Sequence, residues 1–145
     1  GNVTLSQLLT NKKYDKIYIM LGVNEMGYRF DKIIEKYKEL LSFIKQKQPD
    51  TTIFLQANLH VTGERSNSDD TFNNHSINKL NKALSKMADN KKIYYLDVNP
   101  IFDDENGNLS ADKSEDNTHL YAKYYEVWGK WIVSQSASLT KEELH

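Results

Sequence analysis

Two short polar segments contain the residues whose types and spacing could do chemistry. In Gly22-Val23-Asn24-Glu25 a glycine allows a sharp turn after an apolar run, and the amide of Asn24 can donate hydrogen bonds into a cleft. In the second segment Asp116 stands three residues ahead of His119. Its carboxylate can accept the Nδ1 proton, which leaves Nε2 as a general base. Acyl transfer needs such a donor and base close together.

The elements around these segments must bring them to one place. Short β-rich runs alternate with amphipathic helical stretches, which is typical of a parallel sheet with helical crossovers. The predicted strands are Lys16 to Leu21, which we expect to be covered on both faces, Thr51 to Ala57, and Ile93 to Val98. The predicted helices are a short one from Thr4, Phe30 to Gln48, the segment of Ile77 to Met87, and Leu120 to Ser136. This order places Asn24 and His119 at the carboxyl edge of the sheet, where ligands bind in such folds.

Both segments also resemble conserved blocks of one family. Gly22-Val23-Asn24-Glu25 is similar to the Gly-x-Asn-Asp block of the SGNH/GDSL-type serine ester hydrolases, and Asp116-Asn117-Thr118-His119 matches their Asp-x-x-His block. The match spans Lys16 to about Val133. It implies a three-layer α/β/α sandwich with a parallel, flavodoxin-like sheet. In the implied site Asn24 donates to the oxyanion, His119 activates a serine and Asp116 orients the imidazole.

The chain departs from that family pattern in two ways. Glu25 stands where the family usually has Asp, and the chain contains no Gly-Asp-Ser block and no second-block glycine. Four loop serines are not placed on a strand-to-helix turn: Ser66, Ser68, Ser110 and Ser114. We therefore expect the first strands, with the nucleophile, to lie upstream of Gly1. Residues 1–137 form one N-terminally incomplete domain in this interpretation, and residues 138–145 form a flexible tail.

Further residues are candidates for binding or for the core. Gly22, Asn58 and His60 are expected at the substrate site, although a solvated loop histidine is the alternative interpretation of His60. Asn58 begins a polar loop that reaches Asn74, and loops of this length often carry function. The aromatic residues of the last helix could suggest a ligand box, but their helical spacing favours core positions. The predicted core residues there are Leu120, Tyr124, Val127, Trp128, Trp131 and Ile132.

Composition excludes several classes of function. The 145 residues carry 19 Lys and Arg against 20 Asp and Glu, so we expect no nucleic-acid partner. The absence of cysteine excludes a cysteine nucleophile and a thiolate metal site. The chain has no phosphate-binding glycine motif and no metal-ligand cluster, so we predict no cofactor and no metal. No run is long enough for a membrane span, and this segment contains no signal peptide, which leaves a cytoplasmic or a secreted parent protein.

These observations predict an ester hydrolase that acts on a small-molecule ester, either an acyl ester or a carbohydrate O-acetyl group. The isolated chain is expected to be inactive because it lacks the nucleophilic serine. The alternative is a non-catalytic flavodoxin-like module that binds a ligand or a protein at the same edge. If the first strands are missing, the edge of the strand at Lys16 is bare, and we expect self-association through it.

Overall fold

The structure, a computed structural model, describes residues 12–21 and 29–143. The predicted helix at Thr4 lies outside the described residues, and so do Gly22 and Asn24. Three parallel strands form one sheet in the order β1-β2-β3. They are β1 (Lys16–Ile19), β2 (Thr52–Gln56) and β3 (Ile93–Leu96). Each is one to two residues shorter at one or both ends than its predicted run.

Helices connect and cover the strands. The long helices are α1 (Phe30–Lys47), α3 (Asn74–Ser85) and α5 (Ala122–Glu143), and the short ones are α2 (Gly63–Asn67) and α4 (Asn99–Phe102). Helix α1 forms because Ile33, Tyr37, Leu41 and Ile44 recur at helical spacing on one buried face. It ends at the residues before Pro49, as predicted. Helix α2 lies in the segment that was predicted to be a loop.

The strands alternate their side chains between two helical layers. On one face Ile19, Ile53, Leu55 and Ile93 pack with the buried residues of α1 and α3. On the other face Phe54, Tyr94 and Leu96 pack against Trp131, Ile132 and Leu139 of α5. Tyr18, Phe54 and Tyr94 stack across all three strands, with ring centroids 5.1 and 5.6 Å apart. The fold is therefore the predicted three-layer α/β/α sandwich.

A separate apolar cluster lies beyond the carboxyl ends of the strands. Its buried members come from the segment between β3 and α5 and from α5 itself, and they are Val98, Phe102, Leu109, Leu120 and Trp128. Asp103 and Leu109 form an isolated antiparallel bridge, and so do Ser114 and Leu120. This cluster gives the polar segment from Phe102 to Thr118 a fixed base. The segment therefore has a defined shape although it contains little regular structure.

Three predictions on packing were wrong. The first strand is not fully covered on both faces, because Tyr18 is 38% exposed although its ring stacks on Phe54. Val127 is 47% exposed and not core, because it faces away from the apolar clusters that α5 covers. The last helix does not end at Ser136 but runs to Glu143, because Leu139 still packs on the sheet. No helix in residues 12–21 and 29–143 is both long and apolar enough to cross a membrane.

Candidate active site

A tight turn holds the predicted acid–base pair together. His119 Nδ1 lies 2.7 Å from Asp116 Oδ2, and the His119 backbone N–H donates to Asp116 Oδ1, also at 2.7 Å. The Thr118 N–H donates to the same Oδ1 at 3.0 Å. Between them Asn117 adopts the left-handed conformation with φ 65°, which asparagine tolerates better than most residues. The carboxylate thus fixes both the turn and the orientation of the imidazole.

These contacts determine the charge of Asp116 and the tautomer of His119. The His119 backbone N–H, its ring and the Thr118 N–H hold the pKa of the Asp116 carboxyl well below its usual range. An ionised Asp116 accepts the Nδ1 proton of His119, and Nε2 then carries the free lone pair. Nε2 has no hydrogen-bond partner among the described residues, and the His119 side chain is 67% exposed. The geometry is that of a general base open to a substrate or nucleophile.

Ser114 anchors this turn to the fold. Its hydroxyl donates to the His119 carbonyl oxygen at 2.6 Å, and it lies 3.2 Å from Asp116 Oδ1. Ser114 is 7% exposed, and its bridge partner Leu120 is buried in the cluster beyond the sheet. The exposed His119–Asp116 pair is therefore attached to a buried part of the fold.

A cavity of about 230 Å³ opens beside His119. It lies at the carboxyl edge of the sheet, between the end of β1, the segment after β2, and the first turns of α5. The lining residues are Met20, Leu21, Asn58, Leu59, Val61, Phe72, Thr118, His119, Tyr125 and Trp128. Apart from Asn58, Thr118 and His119 the wall is apolar or aromatic. Such a cavity can hold a small, largely apolar group next to a base.

Asn58, one of the predicted substrate-binding candidates, lines the cavity. It is 1% exposed, and buried amides fix its backbone. Its N–H donates to Asn81 Oδ1 at 2.8 Å, and its carbonyl accepts from Asn81 Nδ2 and Asn99 Nδ2, both at 3.0 Å. The side-chain amide has one long contact, Nδ2 to Asn81 Oδ1 at 3.4 Å. Beside His119 Nε2, that amide is a second polar group in the wall of the cavity.

His60 is placed differently from both interpretations of the sequence. It is 8% exposed and is therefore not a solvated loop residue. It is also absent from the wall of the cavity, because its ring lies between Asp103 Oδ2, 2.9 Å from Nδ1, and Asn78 Oδ1, 2.6 Å from Nε2. Both ring nitrogens are thus occupied by protein groups.

Sequence reasoning missed Tyr125 as a residue of the site. Trp128 is 7% exposed, which agrees with its predicted core position, but it also borders the cavity. Tyr125 is 46% exposed and stacks on Trp128 with ring centroids 6.0 Å apart. Both stand on the helix that directly follows His119, three residues apart and so on one face. That proximity in sequence was the available signal.

The four loop serines are occupied elsewhere. Ser66 Oγ accepts from the Asn74 N–H, Ser68 Oγ donates to the Arg65 carbonyl, and Ser110 Oγ donates to Asp112. Ser114 contacts the backbone of His119 and not its ring. Gly22 and Asn24 lie outside the described residues, so the predicted oxyanion donor stays a prediction. No group of three or more His, Asp or Glu that could hold a metal occurs in the part of the chain that the structure describes.

Fold and site together define an α/β/α sandwich with an acid–base pair at the carboxyl edge of its sheet. Residues 2–127 match the GDSL-like lipase/acylhydrolase family, and the chain belongs to that family. This confirms the resemblance inferred from the Gly-x-Asn and Asp-x-x-His segments.

Solved structures share the fold. A Streptococcus pneumoniae protein provisionally described as a platelet activating factor superposes with a TM-score of 0.71 and 22% identity, over 86% of this chain and 59% of that one. A carbohydrate esterase family 3 protein from Talaromyces cellulolyticus superposes with a TM-score of 0.65 and 18% identity, over 92% of this chain and 62% of that one. The chain thus spans about three fifths of the length of these neighbours.

This chain covers a smaller share of its curated relatives than of the solved structures. The N-acylneuraminate cytidylyltransferase of Streptococcus agalactiae serotype III is 28% identical over 131 residues, which cover 83% of this chain and 29% of the relative. The chain spans between 12% and 29% of the curated relatives that it matches.

Proposed function

We propose that this chain carries the acid–base part of a serine-type ester hydrolase. The observation that carries the proposal is the His119 Nδ1 to Asp116 Oδ2 contact of 2.7 Å at the mouth of the cavity, with Nε2 open. In the reaction His119 Nε2 takes the proton of a serine hydroxyl as that oxygen attacks the ester carbonyl. His119 then returns the proton to the departing alkoxide, while Asp116 stabilises the imidazolium.

Asn24 completes the proposed site as a hydrogen-bond donor to the oxyanion of the tetrahedral intermediate. The support for this role is its place in the Gly-x-Asn segment after β1, since Leu21, the last described residue before that segment, lines the cavity. The nucleophilic serine comes from outside the 145 residues in this proposal, because the chain has no Gly-Asp-Ser. The isolated chain is then nearly inert towards esters.

The substrate that we favour is a carbohydrate O-acetyl ester. A cavity of about 230 Å³ is below the usual 300 to 1,000 Å³ of drug-sized ligand sites, which suits a short acyl group. The name of one structural neighbour is carbohydrate esterase, and the name of the Streptococcus agalactiae relatives refers to N-acylneuraminate, an acylated sugar. These names support a sugar as the alcohol part.

The test is hydrolysis of p-nitrophenyl acetate by the parent protein and its variants. We expect His119→Ala to lower kcat by about three orders of magnitude or more, and Asn24→Ala to lower it by about 10² to 10³. His75→Ala is the matched control, because His75 is an exposed histidine of α3 outside the cavity. Unchanged rates for both site variants would refute the proposal and favour the non-catalytic ligand-binding module. The absence of a Gly-Asp-Ser block from these 145 residues is the observation that favours this alternative.

Self-association through the edge of β1 accompanies this proposal. The edge strand is open among the described residues, and Tyr18 and Met20 beside it are 38% and 43% exposed. An unpaired apolar edge is a template for pairing with another chain. We expect the sedimentation coefficient of the isolated chain to rise with protein concentration. A monomer mass that does not change with concentration would contradict this expectation.

A further inference from the structure

The segment from Asn58 to Val61 satisfies its backbone without a neighbouring strand. Unpaired backbone groups are costly when buried, so each needs a partner from elsewhere. Here the partners are asparagine side chains of α3 and α4, all less than 7% exposed. The bonds run from the N–H groups of Asn58, His60 and Val61 to Oδ1 of Asn81, Asn99 and Asn74, each at 2.8 Å.

This segment is also one wall of the cavity beside His119. Asn58, Leu59 and Val61 all line it. At its far end the Thr62 N–H donates to the carbonyl of Asn117, at 3.0 Å, and so joins the wall to the turn that holds His119. The position of the wall relative to His119 therefore depends on what holds the segment in place.

The His60 side chain is the one group of this segment that reaches both helices by its own ring atoms. Nδ1 contacts Asp103, which directly follows α4, and Nε2 contacts Asn78 on α3. The side chains of His60 and Asp103 are 10% and 13% exposed. The ring is planar and its two bonds point in opposite directions, so it fixes the distance between α3 and α4, whose asparagines bind the backbone of the segment. His60 with its partners Asp103 and Asn78 is called the brace below.

The surroundings favour a charged ring. Asp103 Oδ1 is buried without a hydrogen-bond partner among the described residues, so Asp103 depends on His60 to stabilise its charge. Burial lowers the pKa of His60. The bonds to Asp103 and Asn78 and the nearby charges of Asp103 and Asp97 raise this pKa by more than burial lowers it, so the net shift is upward. Asp103 and Asp97 are the charged groups that act on the ring.

We infer that His60 is a positioning residue of this site. Its ring ties α3 to the residue after α4, and thereby sets where Asn58, Leu59 and Val61 stand relative to His119. The inference rests on the proposed function for its effect on catalysis. It assigns to His60 no contact with the substrate.

The kinetic test uses two substitutions, each of which changes one of the two partners of the His60 ring. Asn78→Ala deletes the partner of Nε2 at an exposed helix position, and Asp103→Asn keeps the shape of the other partner while removing its charge. Both should raise KM for p-nitrophenyl acetate about threefold to tenfold, the range for one lost hydrogen bond, and change kcat less than about twofold. His75→Ala, one turn earlier on α3, should change neither. Unchanged KM in both brace variants, with a lower Tm, would make His60 merely structural and overturn the inference.

An NMR arm on the 145-residue chain separates this inference from the proposed function. The backbone amide signals of Asn58 and Val61 should shift with the same midpoint as the His60 ring when the pH is raised. Asp103→Asn should move that midpoint to lower pH. If the parent protein does not hydrolyse p-nitrophenyl acetate but these shifts occur, the proposed function is wrong and the positioning role of the brace is supported. If the His60 ring titrates while both amide signals stay still, the brace is refuted.

Discussion

The molecule contains two His–Asp pairs of nearly equal length in opposite surroundings. His119 and Asp116 lie 2.7 Å apart, with side chains 67% and 55% exposed. His60 and Asp103 lie 2.9 Å apart, with side chains 10% and 13% exposed. In the first pair Nε2 has no partner among the described residues, and in the second Nε2 contacts Asn78.

The difference shows that a His–Asp contact does not by itself make a catalytic base. A base needs a free nitrogen next to space for a substrate, and only His119 of the two borders the cavity. An imidazole with both nitrogens occupied can instead hold two parts of the fold together. The same substitution should therefore affect the stability of the two pairs to very different extents.

The largest expected contrast is in stability. His60→Ala leaves the buried Asp103 carboxylate uncompensated and should lower the free energy of unfolding by about 3 kcal/mol. His119→Ala removes an exposed side chain and should change it by less than about 0.5 kcal/mol. Urea unfolding of both variants checks this. Equal losses of stability would mean that the two pairs do not differ in the way the burial suggests.

The pH dependence of stability gives a finer distinction. The pKa of His60 is raised above its ordinary value of 6.5 by Asp103 and Asn78, against the effect of burial. Its contribution is therefore fully present below pH 6.5 and is lost as the pH rises through the higher folded-state pKa. The stability difference between wild type and His60→Ala should therefore shrink as the pH rises above 6.5 and through the folded-state pKa. A difference that grows over this range would contradict the direction of the shift.

The smallest expected effect comes from Ser114, which attaches the exposed His119–Asp116 turn to the fold. Ser114→Ala removes the hydroxyl that holds the His119 carbonyl and lies near Asp116 Oδ1. We expect kcat/KM of the parent protein for p-nitrophenyl acetate to fall about threefold to tenfold, as for a lost hydrogen bond that orients the turn. Ser110→Ala is the matched control in the same segment, because Ser110 contacts Asp112 and not the turn. Equal effects of the two substitutions would remove the special role of Ser114.

The two regions also differ in how well the sequence predicted them. Asp116 and His119 are three residues apart, so local geometry alone brings them together. His60 lies 43 positions from Asp103 and 18 from Asn78, and no local pattern joins such distant residues. Its burial depends on how α3 and α4 pack around the segment after β2. The burial of His60 could therefore not be predicted from the polar sequence around it.

The sheet and helices show the same limit. The periodic pattern of α1 and the apolar runs of β2 and β3 were sufficient to predict their place in an α/β/α sandwich. The end of α5 was not, because Leu139 packs against a sheet face made by Phe54 and Tyr94. The covering of β1 likewise depends on neighbours that no pattern within the strand reveals.

The most direct test of the central claim is the proton arrangement on the His119 ring. In a 15N-labelled chain whose His119 ring is neutral, long-range 1H–15N spectra should show a proton on Nδ1, bonded to Asp116, and an unprotonated Nε2. The Asp116→Asn variant should lose this preference. A wild-type ring protonated on Nε2 would contradict the account, because the nitrogen that faces the substrate could not then act as the base.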